Sequence, residues 1–459
     1  MIRRLATTFL TSLLPTSMTS AGLLQLSPLY RNRVNTPANR SSGFFFTSPL
    51  TPIICALLFM MGCGDSFEQD YIASRVTPID IARQDIDAQR ARLEKTPTDY
   101  LLLNRLGTSL QELADLSHDS APHIEAIDMF DRAITHGAPS SDSQLAKARS
   151  YLALHKLDEA RSSLALVSES NVTPKRVRLA VEGQLNLLTG DYELAKQNYE
   201  SLRLAYKGAA QGEVMLGYIF DLLGDDADAQ KRYSAGLTLI GEENARGQSW
   251  VHVLSGLNHF HRGRFQKAKA SYELALEATP DDILALEHLA EIEEKLGNRA
   301  YAIQLYRRVV SLTRHPIFLA ALADLVRQNG DESEANELFA EARLGIDDMI
   351  ALTPEAAYEH AADFLLEHTD ETDLAVSLLE KNVALRPNGN SYQQLAAAYL
   401  AAGRQKDAEV AIETALSQPA INADLYWIAA EIFQKSGSPS TADAYRLKAL
   451  EINPRQAEM

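Results

Sequence analysis

Apolar residues in this chain fall at helical spacing, as at Leu254, Leu257 and Phe260, which gathers them on one face of a helix. Alternating apolar and polar runs of the kind that make strands are absent throughout the sequence. The pattern therefore predicts helices only. Those helices also repeat: Gly263, Ala268, Tyr272 and Ala275 are followed 34 residues later by Gly297, Ala302, Tyr306 and Val309. Gly190, Ala195, Tyr199 and Gly224, Ala229, Tyr233 keep the same interval, and Gly330, Ala335, Phe339, Ala342 follow one residue short of it. Further copies centre on Ala126, Ala160, Ala375, Ala408 and Ala442, which gives about ten hairpins over residues 97–455. The interval widens between Ala229 and Ala268 and again between Ala335 and Ala375.

Each recurring residue has a physical role. A glycine at the mid-hairpin turn takes positive φ without steric cost, and alanines let two helices approach closely. The Tyr or Phe is expected to fill the gap between neighbouring hairpins. Pro280, Pro387 and Pro454 end second helices, because proline has no N–H to donate and clashes with the preceding turn. The second repeat departs from the frame, with His155 where the turn glycine is expected.

The order of Leu or Ala and Gly in the first helix, then Gly, Tyr, Ala, Tyr, Ala and a closing Pro resembles the tetratricopeptide repeat. That resemblance implies an all-α fold, a right-handed superhelical α-solenoid of tetratricopeptide hairpins. It also implies a concave groove, lined by first helices, that takes a peptide or protein partner. The family's first-helix tryptophan is missing from most copies. Mapped onto this sequence, the groove positions include Thr108, Gln111, Gln184 and Val253. The partner-binding candidates are Tyr218, Asp221, Phe260, His261, Glu287, Glu291, Glu294, Asp324, Arg327, Trp427 and Glu431, with Tyr218, Phe260 and Trp427 as anchors. The Lys and Asn residues with which relatives clamp a C-terminal carboxylate are not at these positions, so no such clamp is expected.

Charge refines the partner. Residues 1–64 hold five arginines and no Lys, Asp or Glu, while the chain from Asp65 onward holds 39 basic against 61 acidic residues, a formal charge of −22. An acidic body repels phosphate backbones, so nucleic acid is not an expected partner. A protein or peptide of basic or mixed charge is.

The first residues read as an address. About ten apolar residues from Pro52 to Met61 are too few to span a bilayer but suit a signal h-region. Met60-Met61-Gly62-Cys63 resembles the lipobox of bacterial lipoprotein precursors, in which the cysteine is acylated and becomes the new N-terminus. Residues 1–62 are then a removed export segment and 63–96 a tether and linker helix. Cys63 is the lipid-attachment residue, and the protein is anchored on the periplasmic or outer face of a bacterial envelope. A plain secretory signal or an organellar presequence is the alternative, since residues 1–40 are rich in Arg, Ser and Thr and lack acids.

Catalytic motifs are absent from the sequence: no H-E-x-x-H, G-x-S-x-G or phosphate-binding glycine loop occurs. His259 and His261, two apart, point to different sides of a helix. Asp225, Asp226 and Asp228 lack the other ligands of a calcium loop and read as caps of the following helix. No cofactor and no metal are expected. The reading is a non-catalytic interaction scaffold, expected to serve an envelope or secretion assembly. The alternative is an enzyme accessory or glycosyltransferase-like protein.

Overall fold

The computed structural model describes residues 76–168, 172–206 and 208–458. The export segment, Cys63 and the start of the tether lie outside the described residues. Among the described residues there are twenty-one α-helices and a short closing 3-10 turn, and no strand. Helix α1 (Pro78–Leu93) precedes ten hairpins. These are α2–α3 (Tyr100–Ser117, Pro122–Thr135), α4–α5 (Ser140–Ala153, Leu157–Ala165), α6–α7 (Val172–Leu188, Tyr192–Ala205) and α8–α9 (Ala210–Leu222, Asp226–Ile240). Next come α10–α11 (Ala245–Phe260, Phe265–Ala278), α12–α13 (Ile283–Lys295, Arg299–Leu312) and α14–α15 (Pro316–Gln328, Glu332–Leu352). The last three are α16–α17 (Pro354–His368, Thr372–Leu385), α18–α19 (Gly389–Ala401, Gln405–Ser417) and α20–α21 (Ala423–Lys435, Pro439–Ile452). Helices pack on their neighbours in the chain, except that α6 packs on α4 rather than on α5, and several other first helices of successive hairpins also touch, which makes the molecule an α-solenoid.

Short polar side chains start the helices where the sequence places them. Asp99 accepts from the backbone of Leu101 and Leu102, Asp225 from Asp228, Asp282 from Ala285 and Asp331 from Glu334. Each satisfies N–H groups that a helix start leaves bare. Asp225 is thus the cap that its sequence position suggested.

The repeat aromatic sits elsewhere than expected in four hairpins, while Phe339 does pack on the next hairpin, 4.8 Å from the His368 ring. In those four it lies inside its own hairpin, on a glycine of the first helix: a methyl group on Gly107, Gly183 or Gly217 would lie 2.7–2.8 Å from the ring of Phe130, Tyr199 or Tyr233. Gly256 meets Tyr272 in the same way. Tyr199, Tyr233 and Tyr272 are fully buried there. The missing Cβ lets the two helices close on a flat ring.

Helix α1 is a packing element rather than a free linker. Its Ile86 and Leu93 are buried with Leu102, Leu106 and Phe130 of the first hairpin, and Ile79 joins the central core with Ile283 and Leu312.

The two superhelical turns touch. The Asn388 amide donates to the carbonyl of Leu188 at 2.8 Å, and the backbone N–H of Ile421 donates to the carbonyl of Leu222 at 2.9 Å. The His155 ring lies 3.3 Å from the carbonyl of Glu355. The turn of the second hairpin therefore meets the start of the eighth, the third meets the ninth and the fourth meets the tenth. Six hairpins complete one turn, and orphan carbonyls at the ends of α6 and α8 find their donors on the next turn. First helices are buried on most sides as a result: Gln211 to Gly217 of α8 and Ile283 to Ala290 of α12 are buried without interruption.

Candidate partner-binding site

The expected open groove is closed by this contact between turns, and what remains of it is a cavity of about 320 Å³. One wall comes from the ends of α6, α8 and α10, with Leu187, Met215, Tyr218, Asp221, Leu254 and His261. The opposite wall comes from the next turn, with Asn388, Asn390 and Gln393 of α18 and its cap, Ile421 and Asn422 before α20, and Ile452. The size falls at the low end of ordinary ligand pockets, and the lining is apolar with a few convergent polar groups.

Electrostatics set the state of that polar edge. Asp221 accepts from Asn258 at 2.7 Å and pairs with the Arg262 guanidinium at 2.5 Å, so its charge is compensated. Asp226 pairs with Arg264 at 2.6 Å; burial works against its charge, but that bond and nearby Arg262 hold it below the usual carboxylate range. Burial pushes the Tyr218 phenol up and the His261 imidazole down, so both are neutral at pH 7. Two polar nitrogens on the cavity have no hydrogen-bond partner: Nε2 of His261 and Nε2 of Gln393. Gln393 is 1% exposed, and its other amide atom accepts from Asn422 at 3.1 Å. A ligand with a hydrogen-bond acceptor would satisfy a donor that now has none.

Of the sequence candidates, the structure brings Tyr218, Asp221 and His261 together on the cavity. Gln184, also mapped to the groove, lines it as well; the remaining candidates do not. Phe260 is 3% exposed and stacks on Phe265 at 5.8 Å, with the Arg455 guanidinium over Phe265, so it is core and not an open anchor. Glu287 is buried and Glu291 half-buried, both turned to His288 at 2.7 and 3.1 Å. Burial opposes charge on that histidine, but the two acids beside it, Glu287 first, outweigh it and push it up to about 10. Glu294 is half-buried near the end of α12. Asp324 lies 3.9 Å from Nε2 of His368. Arg327 is exposed, over the Phe339 ring at 4.3 Å. Trp427 is half-buried and Glu431 exposed on α20, away from the cavity lining. The acidic stripe read from α12 is therefore partly an internal ion-pair cluster. Val253 and Gln111 are buried as well, Gln111 donating to the carbonyl of Ala146 and to Ser150.

Asn388, Gln393, Ile421 and Asn422 were not legible as site residues, because they reach the cavity only through a fold-back of about 200 positions. The visible signal was an asparagine recurring in the loops before or after the last hairpins, at Asn388, Asn422 and Asn453. Asn388 and Asn422 each cap a helix.

The family model of the tetratricopeptide repeat matches residues 251–282, which span most of α10, all of α11 and the loop into α12. No curated protein matches the chain. Among solved structures, MamA is 17% identical with a TM-score of 0.31, over 37% of this chain and 96% of its own. A tetratricopeptide repeat protein from Parabacteroides merdae is 19% identical with a TM-score of 0.33, over 53% of this chain and 93% of its own. The chain thus carries a tetratricopeptide repeat at its fifth hairpin, and the first, third and fourth hairpins share its glycine-on-ring frame.

Proposed function

We propose that the chain is a non-catalytic scaffold, tethered to a membrane through Cys63, that holds an extended segment of a partner protein in the cavity between its superhelical turns. Tetratricopeptide repeats as a class serve protein interaction, and the observation that carries the finer reading is the pair of unpartnered nitrogens facing an apolar wall. An extended peptide offers a backbone carbonyl at every residue to accept from Gln393, and its side chains can cover Leu187, Met215 and Leu254. A segment of basic or mixed charge suits a body of formal charge −22 better than an acidic one. The non-catalytic part rests on the absence of a catalytic motif from the repeat sequence. Membrane attachment, and with it a place in an envelope or secretion assembly, rests on the apolar run and the lipobox-like Met60-Met61-Gly62-Cys63. Among the described residues no helix is long and apolar enough to cross a membrane.

The decisive experiment places a photoreactive amino acid at Tyr218 and, as control, at exposed Leu274 on α11. A partner that cross-links from position 218 and not from 274, and is lost in a Gln393→Ala background, supports the cavity. Equal labelling from both positions, or labelling from 274 alone, overturns it. Separately, a Cys63→Ser chain should move from the membrane to the soluble fraction; persistence in the membrane pellet sinks the tether.

A further inference from the structure

The cluster on α12 has a geometry that partner binding does not use. Glu287, His288 and Glu291 bring Oε2, Nδ1 and Oε2 to one point, with the imidazole nitrogen 2.7 and 3.1 Å from the two oxygens and all three donors within 4.8 Å of one another. We propose that these three side chains bind one divalent first-row transition-metal ion. An ion at bond lengths of about 2.1 Å would see the two nitrogen–oxygen separations at angles of about 80 to 95°, near the right angles of an octahedral shell with open positions. One imidazole with two carboxylates is a donor set that manganese, iron, cobalt and zinc all accept, whereas calcium and magnesium prefer oxygen alone.

Independent observations in the surroundings point the same way. Glu287 is 7% exposed, yet its Oε2 has no aligned hydrogen-bond partner although it lies against the ring nitrogen. Its other oxygen accepts from the Tyr306 hydroxyl. The hydroxyl of fully buried Tyr272 also has no partner; its ring lies 5.5 Å from that of His288, and both acids act on it electrostatically. An internal ion pair accounts for less of this. A protonated His288 has one Nδ1–H for two carboxylates, and its second N–H would be buried without an acceptor, since Nε2 has none. A cation lets the imidazole be neutral and uses the lone pairs of all three donors at once. Half-buried Glu291 provides the entry side.

The second acid–histidine group, Asp324, Glu367 and His368, is looser, with Nε2 3.9 and 3.7 Å from the carboxylates, and serves as the internal control. The full chain is dialysed against EDTA, then titrated with Co²⁺ while its visible d–d bands are recorded, and with Mn²⁺ by calorimetry. One equivalent should bind below about 10 µM, with bands of an imidazole–carboxylate complex. His288→Gln and Glu291→Gln chains of unchanged helical circular dichroism should bind at least tenfold more weakly, and Asp324→Asn should bind like the parent. The proposal is overturned if the parent takes up no stoichiometric ion. It is equally overturned if uptake survives both α12 substitutions or is lost only in Asp324→Asn. Because neither Tyr218 nor Gln393 is altered, cross-linking at the cavity stands or falls apart from this result.

Discussion

Conformational freedom is used at a few residues with opposite intent. Gly297 sits at a hairpin turn with φ of 87° and open space around it, so glycine is there for its backbone. Gly217 has ordinary helical backbone and is there for the Tyr233 ring pressed on it. Alanine at either position should destabilise, by about 1 to 2 kcal/mol at Gly297 from left-handed strain and about 1 to 3 kcal/mol at Gly217 from overpacking. A double-mutant cycle in urea separates the causes: Tyr233→Leu should relieve part of the Gly217→Ala loss and leave that of Gly297→Ala additive. Three turns do without glycine, and in two of them a histidine takes its place. His118 and His155 both hold φ of 55°; His118 is half-buried, and His155 is buried against the carbonyl of Glu355. The contact with the second turn thus supports a conformation that an isolated hairpin would resist. Arg386 is the other extreme, 2% exposed and bonded to Glu359 and Asn382. Arg386→Met leaves the Glu359 carboxylate buried without its cation and should cost about 3 to 5 kcal/mol in denaturant melts.

Among the elements, first and second helices of the hairpins differ in what surrounds them. Second helices keep an exposed apolar residue or two, such as Leu194, Leu274 and Val410, on an outer face. First helices such as α8 and α12 are enclosed by their neighbours and by the other turn. The periodic apolar positions made every helix and most turns legible in the sequence, because hairpin packing is local. They could not reveal that Phe260 is covered, since a groove face and a buried face carry the same apolar residues. Asn388 marks where that covering is secured. Its side chain caps α18 through Ser391 at 3.0 Å and also donates to Leu188 on the first turn. Asn388→Ala should therefore lower stability by about 2 kcal/mol, against about 1 kcal/mol for Asn244→Ala, where the side chain makes only the local cap. Equal losses in urea titrations would remove the contribution of the bond between turns.

At the scale of the whole molecule, buried and half-buried histidines gather where the turns meet. Burial pushes His118 and His360 down to about 3 and His315 to about 4, and holds His155 well below its usual value. His315 and His360 lie edge to face at 6.2 Å, and Arg386 acts unfavourably on the charged forms of both His155 and His360. Their folded values are depressed, so the unfolded chain binds more protons as the medium is acidified. The stability they contribute is present above about pH 6.5 and is lost progressively as pH falls towards 4. Urea midpoints should drop through that window and the radius of gyration from X-ray scattering should rise as the turns part. His315→Gln with His360→Gln should flatten the dependence; an unchanged slope would count against these two residues.

The sequence by itself determined the hairpins, their number and their order, because a helix and its packing partner lie within about 34 positions and are specified by local periodicity, glycine and proline. It also marked Tyr218, Asp221 and His261 as facing inward together. Only the tertiary structure decided that the superhelix closes on itself after six hairpins, and with it which of those inward faces stay open. That closure depends on the small rotation between successive hairpins summed over some 200 residues, and no single spacing in the chain records the sum.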